Sequence, residues 1–286
     1  MKHFVAAPRL FTHKSAAYFL PKISQQDNKS TRGRSLLFAG SKNYQGAAVL
    51  AAKSALRAGT GYVTVAQFEA PLLALRNPDF IVRDIIEGIK FQFDAVLIGP
   101  GFGVNEKTAA LILALKSQKI TKVILDADAL TVCAQWNIFP LPSSWIVTPH
   151  SGELARCLRI SVNQVKQDRL AALQAAVRLC QCTVLLKGHG SLVGSNDKIY
   201  QIRTGNSALA KSGTGDVLAG IITAFRAQGL GATSAALLGA YVHGACANLW
   251  VAKKRDPLSL TASDVIELLP EVLYRVRTRA KLLPEG

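Results

Sequence analysis

Short apolar runs alternate with helical patterns from about residue 35 onward, and this alternation constrains the fold more than any other feature. The runs that predict strands are Ser35 to Ala39, Tyr62 to Ala66, Ala95 to Ile98, Lys122 to Leu125, Trp145 to Val147 and Thr183 to Leu186. Most of them are continuously apolar, as expected for a parallel sheet that is covered on both faces. The chain is therefore predicted to form a single doubly wound α/β domain with a mostly parallel central sheet flanked by helices.

Boundary residues predict where several other elements begin and end. A helix from Ala47 to Ala58 should stop at Gly59, and Ser161 with Gln164 has the spacing of a capping box. Two short runs around the turn at residues 195–197 predict a hairpin added to the sheet. The helices predicted in the last third are Gly215 to Gln228, Ala232 to Ala252 and one capped near Thr261.

The composition indicates a folded domain with a strongly positive charge. Of the 286 residues, 49% are hydrophobic and 18% are charged, which excludes global disorder. The net charge of +16 favours acidic partners such as nucleotides. Basic and aromatic residues are not interleaved as they are in surfaces that stack bases, so nucleic acid is not expected as a partner. The five cysteines form no C-x-x-C pair, which predicts reduced thiols in a cytoplasmic protein.

Residues 1–30 are interpreted as a basic leader and residues 31–286 as the domain. The first 26 residues carry four basic side chains and no acidic one, a composition that also occurs in transit peptides. Their apolar stretches are too short for a secretory signal, and a cytoplasmic leader is the preferred interpretation. The longest uncharged run, Ala232 to Ala252, contains polar residues and glycines. It is predicted to be a helix buried inside the protein, so no membrane association is expected.

The strongest functional signal is the glycine-rich stretch from Gly205 to Gly220, which leads into a helix. Backbone N–H groups at a helix N-terminus bind anions such as phosphate, helped by the positive end of the helix dipole. Asp216 lies in this stretch, where a carboxylate would repel a bound phosphate. Removing a proton from a hydroxyl that attacks the phosphate would explain its position. The simpler alternative is an acidic residue that only interacts with the helix dipole.

Other loops follow the predicted strands, at the edge of the sheet where ligands bind in this architecture. The positive charge of Lys187 and the glycine-rich backbone up to Ser191 can contact a bound nucleotide, and His189 lines or borders the site. His150 and Glu153 share one helix face and could hold substrate, a phosphate-bound Mg²⁺ or a water. The remaining loops of this kind are Gly40 to Ala47, Gly99 to Gly103 and Asp126 to Asp128.

Taken in order, these segments resemble the ADP- or ATP-dependent NAD(P)H-hydrate dehydratase family, which has a ribokinase-like fold. The matching stretches are AGSKNYQGAAVLAAKSALRAGTGYVTV, AVLIGPGFG, VILDADAL, VTPHSGELARCL, VLLKGHGS and GNSALAKSGTGDVLAGIITAFRAQG, between about Leu20 and Leu269. The short segments YVHG and ASDVIELLP add to them. GTGDVLAG alone is typical of the wider ribokinase-like kinases. Its combination with TPHSGE and DADAL points to the dehydratases.

The resemblance implies a repair reaction. The substrate would be NADH or NADPH hydrated on the nicotinamide ring, in its S form. ADP or ATP, with Mg²⁺, would phosphorylate the ring hydroxyl, and elimination of phosphate would restore NADH or NADPH. The family also implies a homo-oligomer.

The resemblance further assigns roles to residues. Asp216 matches the catalytic aspartate, and Glu153 matches an acid that lies near phosphate and Mg²⁺ without binding the metal directly. The implied nucleotide-binding residues are Lys187, Gly188, His189, Gly190, Ser191, Asn206, Gly213, Thr214 and Gly215. The implied substrate-binding residues are Asn43, Ala47, Gly101, Gly103, Asp126, His150 and Asp216.

Four positions depart from the family pattern. Asn28 stands near the place of a histidine that precedes the first strand in the family, and His189 stands where a small residue is usual. Ala208 and Lys211 replace smaller or neutral residues in the phosphate loop, and Lys211 adds a positive charge there. None of these departures touches Asp216.

Two other functions remain open on the sequence alone. A small-molecule kinase of the same fold, acting on a hydroxymethyl thiazole or pyrimidine, would use Asp216 and the anion site in the same way. A non-catalytic nucleotide or nucleic-acid binder would explain the positive charge but gives Asp216 no role.

Overall fold

The structure, a computed structural model, describes residues 7–68, 78–85, 92–196 and 198–279. The strands are β1 (Arg9–Leu10), β2 (Arg34–Phe38), β3 (Tyr62–Gln67), β4 (Ile81–Asp84), β5 (Ala95–Ile98), β6 (Val123–Leu125), β7 (Ile146–Val147), β8 (Thr183–Leu186), β9 (Leu192–Ser195) and β10 (Lys198–Gln201). The α-helices are α1 (His13–Phe19), α2 (Gln45–Arg57), α3 (Glu106–Ser117), α4 (Asp128–Gln135), α5 (Ser151–Leu158), α6 (Val162–Gln167), α7 (Arg169–Cys180), α8 (Thr214–Ala227), α9 (Ala232–Ala252) and α10 (Ala262–Thr278). Short 3₁₀ turns lie at Ser207–Leu209 and Pro257–Ser259.

The described strands form one sheet in the order β1-β10-β9-β8-β7-β6-β5-β2-β3-β4. Its pairings are parallel except where β9 lies antiparallel to β8 and to β10. β9 and β10 therefore form the hairpin that the sequence predicts, although Asp197 in its turn lies outside the described residues. Because the other strands run the same way, their carboxyl ends and the loops that follow them meet at one edge of the sheet.

The sheet separates two hydrophobic cores, one on each face. Neighbouring strand side chains point to opposite faces, so a continuous apolar run supplies both cores. Leu37 and Ile124 pack into the core under α2, α8, α9 and α10. Leu36 and Leu125 pack into the core under α3 to α7. The predicted doubly wound α/β domain, covered on both faces, is confirmed.

The helix α9 is long and apolar enough to span a membrane by length and composition, but 83% of its most apolar window is buried inside the protein. It packs against α8 and α10. The prediction of a helix inside the protein is confirmed by this burial.

The segment interpreted as a basic leader contributes to the fold in its described part. Strand β1 pairs with β10, and Phe11 and Ala16 are buried. The helix α1 is capped by Thr12 and packs against α9 and α10. Residues 1–6 lie outside the described residues.

Several predicted boundaries agree with the structure and a few shift. The segments Ala95–Ile98, Thr183–Leu186 and Ala232–Ala252 have the predicted bounds. The capping boxes that begin at Ser161 and Thr261 both form. The helix α8 begins at Thr214, one residue before the predicted start, because Gly213 takes a left-handed conformation as the N-cap.

Candidate active site

The candidate site lies where the loops after β2, β5, β6, β7 and β8 meet the N-terminus of α8. Its centre is Lys187, directly after β8, whose side chain is 16% exposed. Lys187 Nζ lies 2.6 Å from Asp126 Oδ1 and 3.6 Å from Glu153 Oε2. Thr148 Oγ1 donates to the same Asp126 oxygen at 2.8 Å. These contacts join the ends of β6, β7 and β8 into one polar network.

The charges of this network balance one another. Asp126 is 1% exposed, so its carboxylate depends on Lys187 and Thr148 for the interactions that water would otherwise provide. Burial acts to lower the pKa of Lys187, but the carboxylates of Asp126 and Glu153 outweigh that effect and the pKa is raised. Lys187 is therefore held as a cation in contact with two carboxylates.

His150 and Glu153 shape the start of α5. His150 is the N-cap, and its Nδ1 accepts from the backbone N–H groups of Gly152 and Glu153. The Glu153 carboxylate accepts from the backbone N–H of His150 at 2.7 Å, which completes a capping box. His150 Nε2 lies 3.4 Å from Glu153 Oε1, and the His150 side chain is 58% exposed. One face of this helix start thus presents an accessible imidazole and a nearly buried carboxylate.

Asp216 lies in the first turn of α8, as predicted, and its titration is strongly perturbed. Burial is the largest cause of a pKa of about 7 for its carboxyl group. The carboxylate of Asp126 raises this pKa further, whereas the Lys187 ammonium lowers it. Asp128 and Glu153 add smaller effects in the raising direction. A carboxylate with a pKa near neutrality is suited to accept a proton and release it again at physiological pH.

Next to this network lies a pocket of about 490 Å³. It contains the following residues of the predicted nucleotide-binding set: Lys187, Gly188, His189, Gly190, Ser191, Asn206, Thr214 and Gly215. Its remaining walls come mainly from the loop before α8 and from α9, and include Thr204, Gly205, Leu209, Ala240, His243 and Gly244. Lys187 belongs to both the pocket and the carboxylate network, and so connects them.

Two glycines at the start of α8 have different roles. A Cβ on Gly213 would lie 2.5 Å from Leu50 Cδ1, and Gly213 has a φ of +85°, so this residue is required by the fold. Gly213 does not line the pocket. A Cβ on Gly215 would meet only Lys187 Nζ, at 3.7 Å, so the protein itself has room for it. Gly215 therefore leaves space at the helix N-terminus, where an anion can approach the backbone.

The other predicted substrate-binding residues, Asn43, Ala47, Gly101 and Gly103, follow the strands β2 and β5. Asn43 is exposed in the loop after β2, and Ala47 lies in the first turn of α2. A Cβ on Gly101 would lie 3.2 Å from the Ala47 Cβ, which shows that these two loops are in contact. The backbone N–H of Gly103 donates to Asp128 Oδ2 at 2.8 Å. The loops after β2, β5 and β6 thus form a continuous surface beside Asp126.

The turn between β6 and α4 carries backbone strain. Ala127 has a φ of +47° and a ψ of −117°, a conformation that residues with a Cβ rarely adopt. The turn lets Asp126 face Lys187 while Asp128 binds the loop at Gly103. Strain at this position is consistent with a functional turn.

His243 lines the pocket but was not singled out from the sequence. It is 7% exposed, and burial lowers its pKa to about 4, so its imidazole is neutral. Its Nε2 has no hydrogen-bond partner among the described residues. The only sequence signal for it was the short YVHG segment within an apolar helix.

No group of three or more His, Cys, Asp or Glu side chains among the described residues is arranged to hold a metal ion. A direct metal cage is therefore not part of the described site. Mg²⁺ commonly binds through one or two carboxylates, waters and substrate phosphates, and the carboxylates of Asp126 and Glu153 fit that mode.

Comparison with known proteins identifies close similarity along nearly the whole chain. Residues 35–271 match the family model described as NAD(P)H-hydrate dehydratase. The chain is 35% identical to the ADP-dependent (S)-NAD(P)H-hydrate dehydratase of Neisseria meningitidis, over 79% of this chain and 80% of the relative. It is 32% identical to the enzyme of the same name from Xanthomonas campestris, over 95% of this chain and 99% of the relative.

Other relatives are longer, and a solved structure has the same fold. The chain spans about half the length of curated relatives such as the bifunctional NAD(P)H-hydrate repair enzyme of Thermofilum pendens, of which it covers 53%. The ADP/ATP-dependent NAD(P)H-hydrate dehydratase of Bacillus subtilis, co-crystallised with ATP and Mg²⁺, superposes with a TM-score of 0.84 at 30% identity. That superposition covers 94% of this chain and 99% of the other. The predicted ribokinase-like fold is confirmed.

Proposed function

Because the chain belongs to the NAD(P)H-hydrate dehydratase family, we propose that it converts the S form of hydrated NADH or NADPH back to NADH or NADPH, with ADP or ATP as the phosphoryl donor. The observation that carries this proposal is the position of Asp216. Asp216 lies in the first turn of α8, next to Gly215, which lines the pocket of about 490 Å³, and its carboxyl group is close enough to Asp126 and Lys187 for their charges to shift its pKa. A hydroxyl that enters from the loops beside Asp126 would meet a base and a terminal phosphate together.

The first step is phosphoryl transfer to the ring hydroxyl. Asp216 takes the hydroxyl proton as the oxygen attacks the terminal phosphorus of ADP or ATP, and the bond from that phosphorus to the bridging oxygen breaks. The donor leaves as AMP or ADP. With a pKa of about 7, the unprotonated fraction of Asp216 is substantial at neutral pH.

The second step is elimination. Phosphorylation converts hydroxide, a poor leaving group, into phosphate, a good one. The lone pair of the ring nitrogen expels the phosphate, and loss of a proton from the neighbouring ring carbon restores the dihydropyridine. The balanced reaction consumes one ADP or ATP for each NADH or NADPH and releases one orthophosphate.

We assign the nucleotide and the hydrated ring to different residues, on the two sides of Asp216. The residues Lys187 to Ser191 and the N-terminus of α8, with Gly215, would hold the nucleotide and its phosphates. The loops with Ala47, Gly101 and His150 would hold the hydrated ring. Lys187 would keep Asp126 and Glu153 in place and bring a positive charge next to the donor.

Mg²⁺, when bound with the donor, supplies positive charge that neutralises the phosphates. Glu153 and Asp126 are the residues of this chain that would face it, through water or through the phosphates. We further propose a homo-oligomer and a cytoplasmic location, which rest on the family and on the reduced thiols expected from the sequence.

The nearest rival is a kinase that releases a phosphorylated alcohol. ³¹P NMR distinguishes the two reactions when the protein, Mg²⁺ and ADP or ATP are incubated with hydrated NADH. We expect orthophosphate to appear in equal amount to restored NADH, without accumulation of a phosphate ester. A stable ester with no orthophosphate, or turnover only with hydroxymethyl thiazole or pyrimidine alcohols, would reject the proposal in favour of the kinase.

A further inference from the structure

A second cavity lies at the opposite edge of the sheet from Asp216. It has a volume of about 220 Å³ and lies next to the N-terminal ends of β2 and β3. We call it the basal cavity, and it is lined mainly by Lys22, Arg32, Arg57, Phe225, Leu273 and Arg277. Phe225 lies nine residues after Asp216 on α8, so about 13 Å of helix separate the basal cavity from Asp216. The basal cavity is therefore separate from the candidate active site.

The charges around the basal cavity are predominantly positive. Its lining includes four basic side chains and a single acidic one, Asp27. Arg32 approaches Asp27 only to 3.7 Å, and Arg57 approaches Glu267, outside the lining, to 3.4 Å. Both are exposed or partly exposed pairs, which contribute little to stability. The four cations are thus only partly neutralised by these two carboxylates.

Two of the guanidinium groups, those of Arg32 and Arg277, line the same cavity. Arg277 is anchored by a hydrogen bond of 2.7 Å to the carbonyl oxygen of Pro21. Burial lowers the pKa of Arg277, and the nearby charge of Arg32 lowers it further. Like charges that converge on a cavity repel each other unless an anion lies between them.

The positive charge is not needed to cap the neighbouring helices. α2 and α8 both end beside the cavity, and cations often stabilise helix C-termini. Here the Gln228 side-chain amide donates to the carbonyl oxygens of Ala58 and Ala224, both at 3.0 Å. Since this amide already serves both helix ends, capping does not account for Arg32 and Arg277.

We propose that the basal cavity is a second binding site, for a small anion that carries one or two phosphate groups. Arg32 and Arg277 bind the phosphate in this site, with Lys22 and Arg57 at its rim. Phe225 and Leu273 form an apolar wall that accommodates a compact organic part of the ligand. The cavity volume of about 220 Å³ accommodates a pyrophosphate-sized group. This site is independent of the reaction proposed for Asp216.

Inorganic pyrophosphate is the probe for this proposal. We would titrate it calorimetrically into the full chain in the absence of Mg²⁺ and of nucleotide. We expect one pyrophosphate per chain to bind in a way that depends on Arg32 and Arg277. Arg32→Gln and Arg277→Gln should each weaken its binding by about tenfold or more, since each removes charge-assisted hydrogen bonds.

The matched control is Arg178→Gln, which removes the same charge from an exposed position on α7. It should leave pyrophosphate binding unchanged. If Arg277→Gln loses its contact with Pro21 and unfolds, Arg32→Gln decides, because among the described residues the Arg32 side chain makes only the loose pair with Asp27. Equal weakening by all three variants would show a diffuse charge effect, and absence of binding would show that there is no site. Either result would overturn the proposal.

Discussion

The candidate active site has two sides that differ in composition: a charged side with an ammonium group and carboxylates, and a glycine side that forms the pocket wall. On one side, Lys187 is surrounded by the carboxylates of Asp126, Glu153 and Asp216. On the other side, the pocket wall consists largely of glycine, backbone and small side chains, and it includes the neutral His243. The charged side holds groups that can move a proton, whereas the glycine side holds space and backbone N–H groups that can receive phosphates. Binding and chemistry should therefore respond to different substitutions.

The largest expected effect is on the charged side. Asp216→Asn should lower kcat by about 10² to 10⁴-fold because it removes the proposed general base. The Kd for ADP, measured by calorimetry, should stay close to that of the wild type, since the pocket walls are unchanged. Glu106→Gln, in the first turn of α3, is the matched control and should leave both quantities unchanged. Wild-type turnover in Asp216→Asn would contradict the assigned role.

Removal of the central cation should destabilise the fold as well as the reaction. Lys187→Met leaves the buried carboxylate of Asp126 without its partner, which costs about 3–5 kcal/mol in the free energy of unfolding. Chemical denaturation checks this value. The double variant Lys187→Met with Asp126→Asn should recover much of the loss, because no unpaired buried charge remains. Additive losses in the double variant would show that the two residues do not act as a pair.

The two glycines at the start of α8 should separate binding from folding. Gly215→Ala should raise the KM for ADP by about tenfold with little change in Tm, because its Cβ enters ligand space. Gly213→Ala should instead lower the stability by about 1–2 kcal/mol, because the left-handed conformation and the contact with Leu50 oppose a Cβ. Steady-state kinetics and thermal denaturation of both variants test this contrast. The reverse pattern would show that Gly213, and not Gly215, faces the ligand.

The smallest effect concerns pH. Since Asp216 must be unprotonated to act as a base, kcat/KM should fall below a pH of about 7, where its carboxyl group titrates in the free protein. Asp126→Asn removes a charge that raises this pKa, so the fall should move to lower pH. A profile that moves to higher pH, or does not move, would contradict the electrostatic coupling.

The same pKa makes a prediction for stability. A carboxyl group whose pKa is raised in the folded state contributes stability at low pH, and this contribution is lost as the pH rises from 3.8 to about 7. Asp216→Asn has no such loss. Its stability relative to the wild type should therefore increase from pH 5 to pH 7 and become constant above that, as measured by Tm of the ligand-free proteins.

The sequence predicted the glycine side better than the charged side. Each part of the glycine side is a continuous segment of sequence: Lys187 to Ser191 directly follow a strand, and a glycine-rich loop leads into α8. The position of both segments at the edge of the sheet could therefore be predicted from the local sequence pattern. The pair between Lys187 and Asp126 joins residues 61 positions apart, and no local pattern indicates which acid meets which base. The position of His243 in the pocket could not be predicted, because a single polar residue in an apolar helix has the same sequence pattern as any other core position.

The edges of the fold were also hard to predict. Strand β1 has two residues, both of them exposed, so it has neither the length nor the alternation that indicates a strand. These two residues form a strand because they pair with β10, which is a long-range contact. The central strands were predicted because each is buried on both faces, and that burial requires a continuous apolar run.

The dehydratase reaction proposed for Asp216 can be followed by absorbance at 340 nm after the protein is added to hydrated NADH with Mg²⁺ and either ADP or ATP. We expect recovery of the dihydronicotinamide band in the presence of a nucleotide, none without it, and a clear preference for ADP or ATP in the rates. No recovery with either nucleotide, from protein that binds both, would reject the dehydratase reaction and leave Asp216 serving a different hydroxyl.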